Sequence, residues 1–152
     1  MSTYIYFFIG RNGTYLPIGT FSRSNVIFTE FHDRVPYGNY THIDTEMLNQ
    51  ARSRCNESID HYKKKLDEYE ELKNRISTFN NSIGEKMEEI ARCNENIDEI
   101  KHLIDEEEYA LHFFDFLERL LDEARWRDNF DENNYVFAGV ECNIPGVDDE
   151  ND

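Results

Sequence analysis

Two short motifs in this sequence pair an acidic residue with a second group that could take part in catalysis or metal binding. Glu71-x-Lys73 matches part of a nuclease signature, and Glu99-x-x-His102 is one half of a di-iron bundle motif. Both motifs fall within a predicted helical segment, whereas the nuclease pair usually lies on strands. The sequence has no second Glu-x-x-His, so neither motif predicts a complete site.

The remaining catalytic signatures are incomplete at the level of sequence. Gly10, Gly13 and Gly19 lack the Gly-Lys-Ser/Thr ending of a phosphate-binding loop, and no Gly-x-Ser-x-Gly motif occurs. Cys142 follows a predicted strand and, with a histidine elsewhere in the chain, is a formal thiol nucleophile, but a buried structural thiol is the favoured interpretation. No histidine has a second histidine or a cysteine at metal-ligand spacing. We therefore predict a protein that is not an enzyme and that has no cofactor and no metal ion.

The densest charge in the part of the chain that should be folded lies between Asp105 and Glu123. Arg119 is the only lysine or arginine in these 19 positions, whose net charge is −7 with histidine neutral. As a helix, the segment would be about 28 Å long, so its charges would be within a factor of a few of the density along duplex DNA. We predict that these carboxylates contact a partner protein: Asp105, Glu106, Glu107, Glu108, Asp115, Glu118, Asp122 and Glu123.

The composition restricts the class of partner. The chain of 152 residues has 32 acidic and 16 basic residues, and its net charge is −16. Nucleic acids and anionic membranes are themselves negatively charged, so we expect a basic partner, such as a nucleic-acid-binding protein. The sequence has no apolar run long enough for a membrane helix and no secretion signal at its start. With three cysteines, an odd number, we expect reduced thiols in a cytoplasmic protein.

The middle of the chain carries a helical repeat. Apolar residues recur at every seventh position: Leu48, Cys55, Tyr62, Tyr69, Ile76, Ile83, Ile90, Ile97 and Ile104. Such spacing is typical of coiled coils. We predict an antiparallel hairpin of two helices, over 45–79 and 83–106, with Asp44 or Thr45 as N-cap and a capping box from Ser82 to Glu85 at the turn. The alternative is one continuous helix that pairs with a second copy of the chain.

Apolar strands are predicted near both ends of the chain. Residues 3–9 have apolar side chains on both faces, which is typical of a central or doubly covered strand, and Asn12-Gly13 favours a hairpin turn into residues 14–19. Pro17 cannot donate a backbone hydrogen bond and so indicates an edge strand. Residues 135–140 should join the same sheet, and a dense apolar stripe over 105–128 predicts a core helix that packs on it.

The connecting segments are less regular. Ser24 could cap a short helix that continues to about Asp33, although a third strand is an alternative there. Pro36 and Gly38 predict a loop over 34–43.

Together these elements predict an α+β fold in which both chain ends form a small antiparallel sheet with a core helix. The predicted fold also includes a long antiparallel coiled-coil hairpin of two helices, which extends from this sheet and its core helix. The predicted organisation is a β-hairpin and short helix in 1–43, a helical arm in 44–106, a core helix and closing strand in 107–143, and an acidic flexible tail in 144–152.

In size, charge and helical content the chain resembles small acidic proteins of phages and mobile elements that block restriction or CRISPR enzymes. That resemblance implies an inhibitor that occupies the basic nucleic-acid groove of its target. The alternative is a structural coiled-coil protein, an oligomerisation module or adaptor, that dimerises through its heptads and uses its acidity for solubility.

Overall fold

The computed structural model describes residues 3–11, 14–78, 83–126 and 135–142. Its elements, in chain order, are β1 (Thr3–Arg11), β2 (Thr14–Ser22), α1 (Val26–Phe31) with a following 3-10 turn (His32–Arg34), β3 (Tyr40–His42), α2 (Thr45–Thr78), α3 (Ile83–Trp126) and β4 (Tyr135–Cys142). The predicted α+β class is confirmed. The predicted Asn12-Gly13 turn, the capping box at Ser82 and the acidic tail lie outside the described residues.

The chain divides into two compact units. The sheet unit comprises residues 1–54 and 110–152, and the hairpin unit comprises residues 55–109. The two long helices contribute to both, because α2 and α3 each continue across a unit boundary.

The four strands form one antiparallel sheet in the order β2-β1-β4-β3. The predicted pairing of the two chain ends is confirmed, since β1 pairs with β2 on one side and with β4 on the other. The central place of β1 and the edge position of β2 were also predicted correctly. The edge position accommodates Pro17, which has no N–H to donate.

One face of the sheet carries the aromatic core of the sheet unit. Ile5 and Phe7 of β1 are almost completely buried, as are the neighbouring side chains of β4. The Phe7 ring lies 5.5 Å from Phe31 of α1 and 5.0 Å from Phe113 of α3, both edge-on. Phe114 is fully buried and stacks 5.8 Å from Phe31. The predicted core helix is thus confirmed as residues 110–126 of α3.

The segment between the first hairpin and α2 differs from the prediction in two places. The N-cap of α1 is Asn25 rather than Ser24, because the Asn25 side chain accepts a hydrogen bond of 2.9 Å from the Ile27 N–H. Residues 40–42, predicted as part of a loop, form β3, which pairs with β4. Gly38 makes the preceding turn at a positive φ of 74°, a conformation that favours glycine.

The helical hairpin is confirmed and replaces the alternative of one continuous helix. Asp44 caps α2 as predicted, with its carboxylate 2.8 Å from the Met47 N–H. In the hairpin unit four of the buried apolar residues belong to the seven-residue series: Cys55, Ile76, Ile97 and Ile104. The other three, Ile59, Cys93 and Ile100, lie three or four positions from a member of that series, as the second apolar position of a heptad does.

The predicted division between a second arm helix and a separate core helix is wrong, because α3 is continuous from Ile83 to Trp126. The run Asp105 to Glu108 contains no glycine or proline, so nothing local ends the helix there. The change in apolar pattern near residue 105 reflects new neighbours in the sheet unit and does not mark a break.

Candidate binding surfaces

The structure places four of the predicted acidic residues on α3 in the hairpin unit. Asp105 and Glu108 are exposed, and the Glu106 side chain is 41% exposed. Glu107 is only 4% exposed, so its carboxylate is not available to a partner. Three of these four predicted contact residues therefore present their carboxylates at the surface.

Glu106 interacts with a histidine one turn earlier on the same helix. The Nε2 atom of His102 lies 2.9 Å from the Glu106 Oε1 atom. The His102 side chain is 73% exposed and that of Glu106 is 41% exposed, so this pair leaves the Glu106 carboxylate within reach of other cations.

The other four predicted acidic residues belong to the sheet unit, where an arginine pairs with two of them. Arg52 of α2 lies 3.1 Å from the Asp115 carboxylate and 2.6 Å from that of Glu118. The Arg52 side chain is 17% exposed, so these contacts partly neutralise the two carboxylates within the unit. Asp122 is exposed, and the side chain of Glu123 lies outside the described residues.

A second candidate surface, which the sequence did not predict as a site, lies on the other face of the sheet. Tyr4, Tyr6 and Phe8 of β1 point to this face, and Tyr40 of β3 joins them through its pairing with Gly139. They line a cavity of about 650 Å³, which we call the aromatic groove. Its other lining residues include Tyr15, Pro17, Thr20, Asn39 and Glu141.

A β-bulge brings the β2 residues of the groove onto one face. The register between β1 and β2 shifts between Phe7 and Phe8, so Phe7 pairs with Gly19 and Phe8 pairs with Pro17. Side chains alternate along a strand, so the extra residue moves Tyr15 and Pro17 to the face that carries Phe8. The Tyr15 ring then contacts the Phe8 ring edge-on at 5.1 Å.

Gly139 provides space for one wall of the groove. A Cβ atom at this position would lie 2.4 Å from the Tyr6 ring, so any larger residue would displace that ring. Tyr6 therefore lies across β4, where its hydroxyl donates a hydrogen bond of 3.2 Å to the Glu141 carboxylate.

The surroundings of Tyr6 favour its neutral form. Burial, together with the neighbouring Glu141 carboxylate, raises the pKa of Tyr6 to about 12, from its ordinary value near 10. The neutral phenol is thus favoured in the folded state. Its contribution to stability is fully present below pH of about 10 and is lost as the pH rises through about 12. At neutral pH, the Tyr6 hydroxyl donates its hydrogen bond to the Glu141 side chain and orients it.

Part of the aromatic groove was visible in the sequence. The alternation that places Tyr4, Tyr6 and Phe8 on one face of a strand was apparent, but it was interpreted as a face that other residues could cover. The contributions of Tyr15 and Tyr40 depend on the bulge and on β3, which the sequence pattern did not predict.

The two catalytic motif fragments lie on helices, as expected. Glu71 and Lys73 are on α2, and Glu99 and His102 are on α3, where both are exposed. Within the described ranges, no group of three or more His, Cys, Asp or Glu residues is arranged to hold a metal ion. Cys55 and Cys93 are buried and are not joined to each other by a disulfide bond.

Searches found no matching family model, no similar curated protein and no similar solved structure. Among the described helices, none has the length and apolar composition that crossing a membrane requires.

Proposed function

We propose that this protein is a non-enzymatic, acidic binding module that inhibits a target by occupying its basic nucleic-acid groove. The observation that carries the proposal is the exposure of Asp105 and Glu108 and the partial exposure of Glu106 on α3, in a chain with a net charge of −16. By its charge and size the protein resembles anti-restriction and anti-CRISPR proteins of phages and mobile elements, and the proposed class of activity follows that resemblance.

The spacing of the three carboxylates suits a groove that binds phosphates. A helix rises about 1.5 Å per residue, so three charges over four positions lie within roughly 5 Å along the axis. That density approaches the one charge per about 1.7 Å of duplex DNA. Helical backbone also fixes the spacing of the charges, so a groove lined by arginine and lysine can contact several carboxylates at once.

The alternative, a structural coiled-coil or adaptor protein, is favoured by a different observation in the hairpin unit. Ile83 and Met87 of α3 are 78% and 67% exposed, and Leu72 of α2 is 38% exposed. Ile83 belongs to the heptad series, and its exposed side chain could pack against a second copy of the chain. Stable self-association in the absence of any basic partner would favour this alternative.

A charge-reversal experiment tests the inhibitor proposal. The variant Asp105→Lys/Glu106→Lys/Glu108→Lys and the unaltered protein are each used to capture proteins from the native host, and bound proteins are then eluted with a short DNA duplex. We expect the unaltered protein to retain basic nucleic-acid-binding proteins that the duplex elutes. The variant should lose them, because its lysines repel the basic groove.

The matched control carries the same change in net charge elsewhere in the hairpin unit. Asp67, Glu68 and Glu71 are exposed on α2, and their reversal to lysine should leave capture largely intact. Circular dichroism of both variants checks that the helices persist. Equal loss of capture in the two variants would assign binding to net charge alone, and full retention in the α3 variant would contradict the proposed surface.

A further inference from the structure

The aromatic groove of the sheet unit exposes large rings that a core would normally bury. Tyr15 is 61% exposed and Tyr40 is 53% exposed, although both contact the buried ring of Phe8 edge-on, at 5.1 and 5.7 Å. Several aromatic side chains gathered on one exposed face are typical of an interaction surface. Each tyrosine also combines an apolar ring with a polar hydroxyl group, so the groove can contact both apolar and polar groups of a partner.

The charge of the groove indicates which ligands it can bind. Glu141 is exposed at the end of β4, and the described residues that line the groove include no lysine or arginine. Aromatic rings present a negative face, so the rings and the carboxylate both favour a cation.

The arrangement of these groups favours arginine over other cations. Tyr6 and Tyr40 lie on either side of Gly139 in one cross-strand row, and the Tyr6 hydroxyl holds the Glu141 carboxylate. A planar guanidinium can stack on a tyrosine ring and donate two parallel hydrogen bonds to a carboxylate at once. A lysine ammonium is a compact, strongly hydrated charge that gains less from a ring face exposed to water.

We propose that the aromatic groove is a docking site for an arginine side chain on an extended segment of a partner protein. The guanidinium stacks against Tyr40 and Tyr6 and pairs with Glu141. The flanking residues of the segment lie along Phe8 and Tyr15. This site belongs to the sheet unit and does not rest on the α3 carboxylates of the hairpin unit, so it adds a second contact of different chemistry to the proposed function.

Peptide binding tests the site directly. The probes are two nine-residue peptides, acetyl-(Ser-Arg)4-Ser-amide and its lysine counterpart, labelled with a fluorophore and titrated with the full-length protein. We expect the arginine peptide to bind more tightly than the lysine peptide. The variants Tyr40→Ala and Glu141→Gln should each weaken arginine-peptide binding about two- to fivefold, as expected for one cation–π contact or one exposed ion pair.

Two control variants distinguish binding in the groove from binding elsewhere on the protein. Tyr37 is 61% exposed in the same unit and is not among the groove's lining residues, so Tyr37→Ala should change binding less than about twofold. Glu108→Gln should do the same, because Glu108 belongs to the hairpin unit. Tyr40 and Tyr37 are both largely exposed, so neither substitution should unfold the protein.

Three results would overturn the proposal. Equal affinity for the arginine and lysine peptides would show that no guanidinium stacks on the tyrosine rings. Unchanged binding in both groove variants would place the peptide elsewhere. If Glu108→Gln weakens arginine-peptide binding as much as Glu141→Gln does, the peptide is bound by the net negative charge of the protein and not by the groove. That result would not bear on the proposed function of the α3 carboxylates, which the charge-reversal experiment tests separately.

Discussion

Phe114 and Phe116 are two positions apart on α3 and have opposite surroundings. Phe114 is fully buried and stacks on Phe31, whereas Phe116 is 44% exposed. A helix turns about 100° per residue, so neighbouring aromatic residues can point in very different directions. The density of aromatic residues in this stretch predicted a core helix, but only the packing on the sheet identifies which rings form the core.

This difference leads to a prediction about stability. Phe114→Ala should lower the free energy of unfolding by about 3–5 kcal/mol, because it leaves a cavity beside Phe31. Phe116→Ala, the matched control, should lower it by less than about 1 kcal/mol. Urea denaturation followed by circular dichroism measures both values. Similar losses in the two variants would show that the orientation of α3 on the sheet is wrong.

The burial of Glu107 and the ion pairs of Arg52 show what the sequence could not predict at this scale. The local sequence identified a run of acidic residues, but it did not predict which side of α3 faces solvent, because that depends on how the helix is rotated about its axis. That rotation is set by apolar contacts made elsewhere along the helix. It buries Glu107 and leaves Asp105 and Glu108 exposed. The sequence thus predicted the acidic residues of the candidate surface as a group, and only the structure shows which of their carboxylates are exposed to a partner.

At the scale of elements, the helical hairpin followed most directly from the sequence. The seven-residue repeat needs no long-range information, and it predicted both helices and their antiparallel packing. The groove between α2 and α3 shows the register, because Asn74 and Lys73 of α2 line it together with Asn94 and Ile97 of α3.

The register can be tested by cross-linking. Asn74→Cys/Asn94→Cys, made in a Cys142→Ser background, should react with a short bis-maleimide within one chain, because both residues line the same groove. The native Cys55 and Cys93 are buried and should react slowly. The control Asn56→Cys/Asn94→Cys moves the first site by 18 residues, about 27 Å along α2. It should give no such product.

Electrophoresis under denaturing conditions separates the possible cross-linking products. For Asn74→Cys/Asn94→Cys we expect a monomer that migrates faster than the unlinked chain, because an internal cross-link keeps the denatured chain more compact. Cross-links found only between chains would contradict the intrachain hairpin and would favour heptad pairing between two copies.

The short elements were the least predictable. β3 has three residues and follows Pro36 and Gly38, so its sequence is typical of a loop, and it becomes a strand only through pairing with β4. The bulge in β2 inverts the face of Tyr15 relative to simple alternation. Since the aromatic groove depends on both features, sequence periodicity could predict the sheet but not the groove.

At the scale of the whole molecule, charge is the property that composition predicts best. The net charge of −16 is independent of how the chain folds, and it favours encounter with basic partners. The structure adds that part of this charge is used internally, as in the contacts of Arg52 with Asp115 and Glu118. The exposed remainder is what a partner meets, and its attraction should weaken as salt screens it.

A competition experiment tests the central claim, that the acidic surface takes the place of nucleic acid, most directly. A basic protein captured from the host is bound to a fluorescent DNA duplex, and the acidic protein is then added at increasing concentration. Displacement of the duplex is the predicted result, because both ligands would occupy the same basic groove. Formation of a ternary complex in which duplex and acidic protein are bound together would contradict the account.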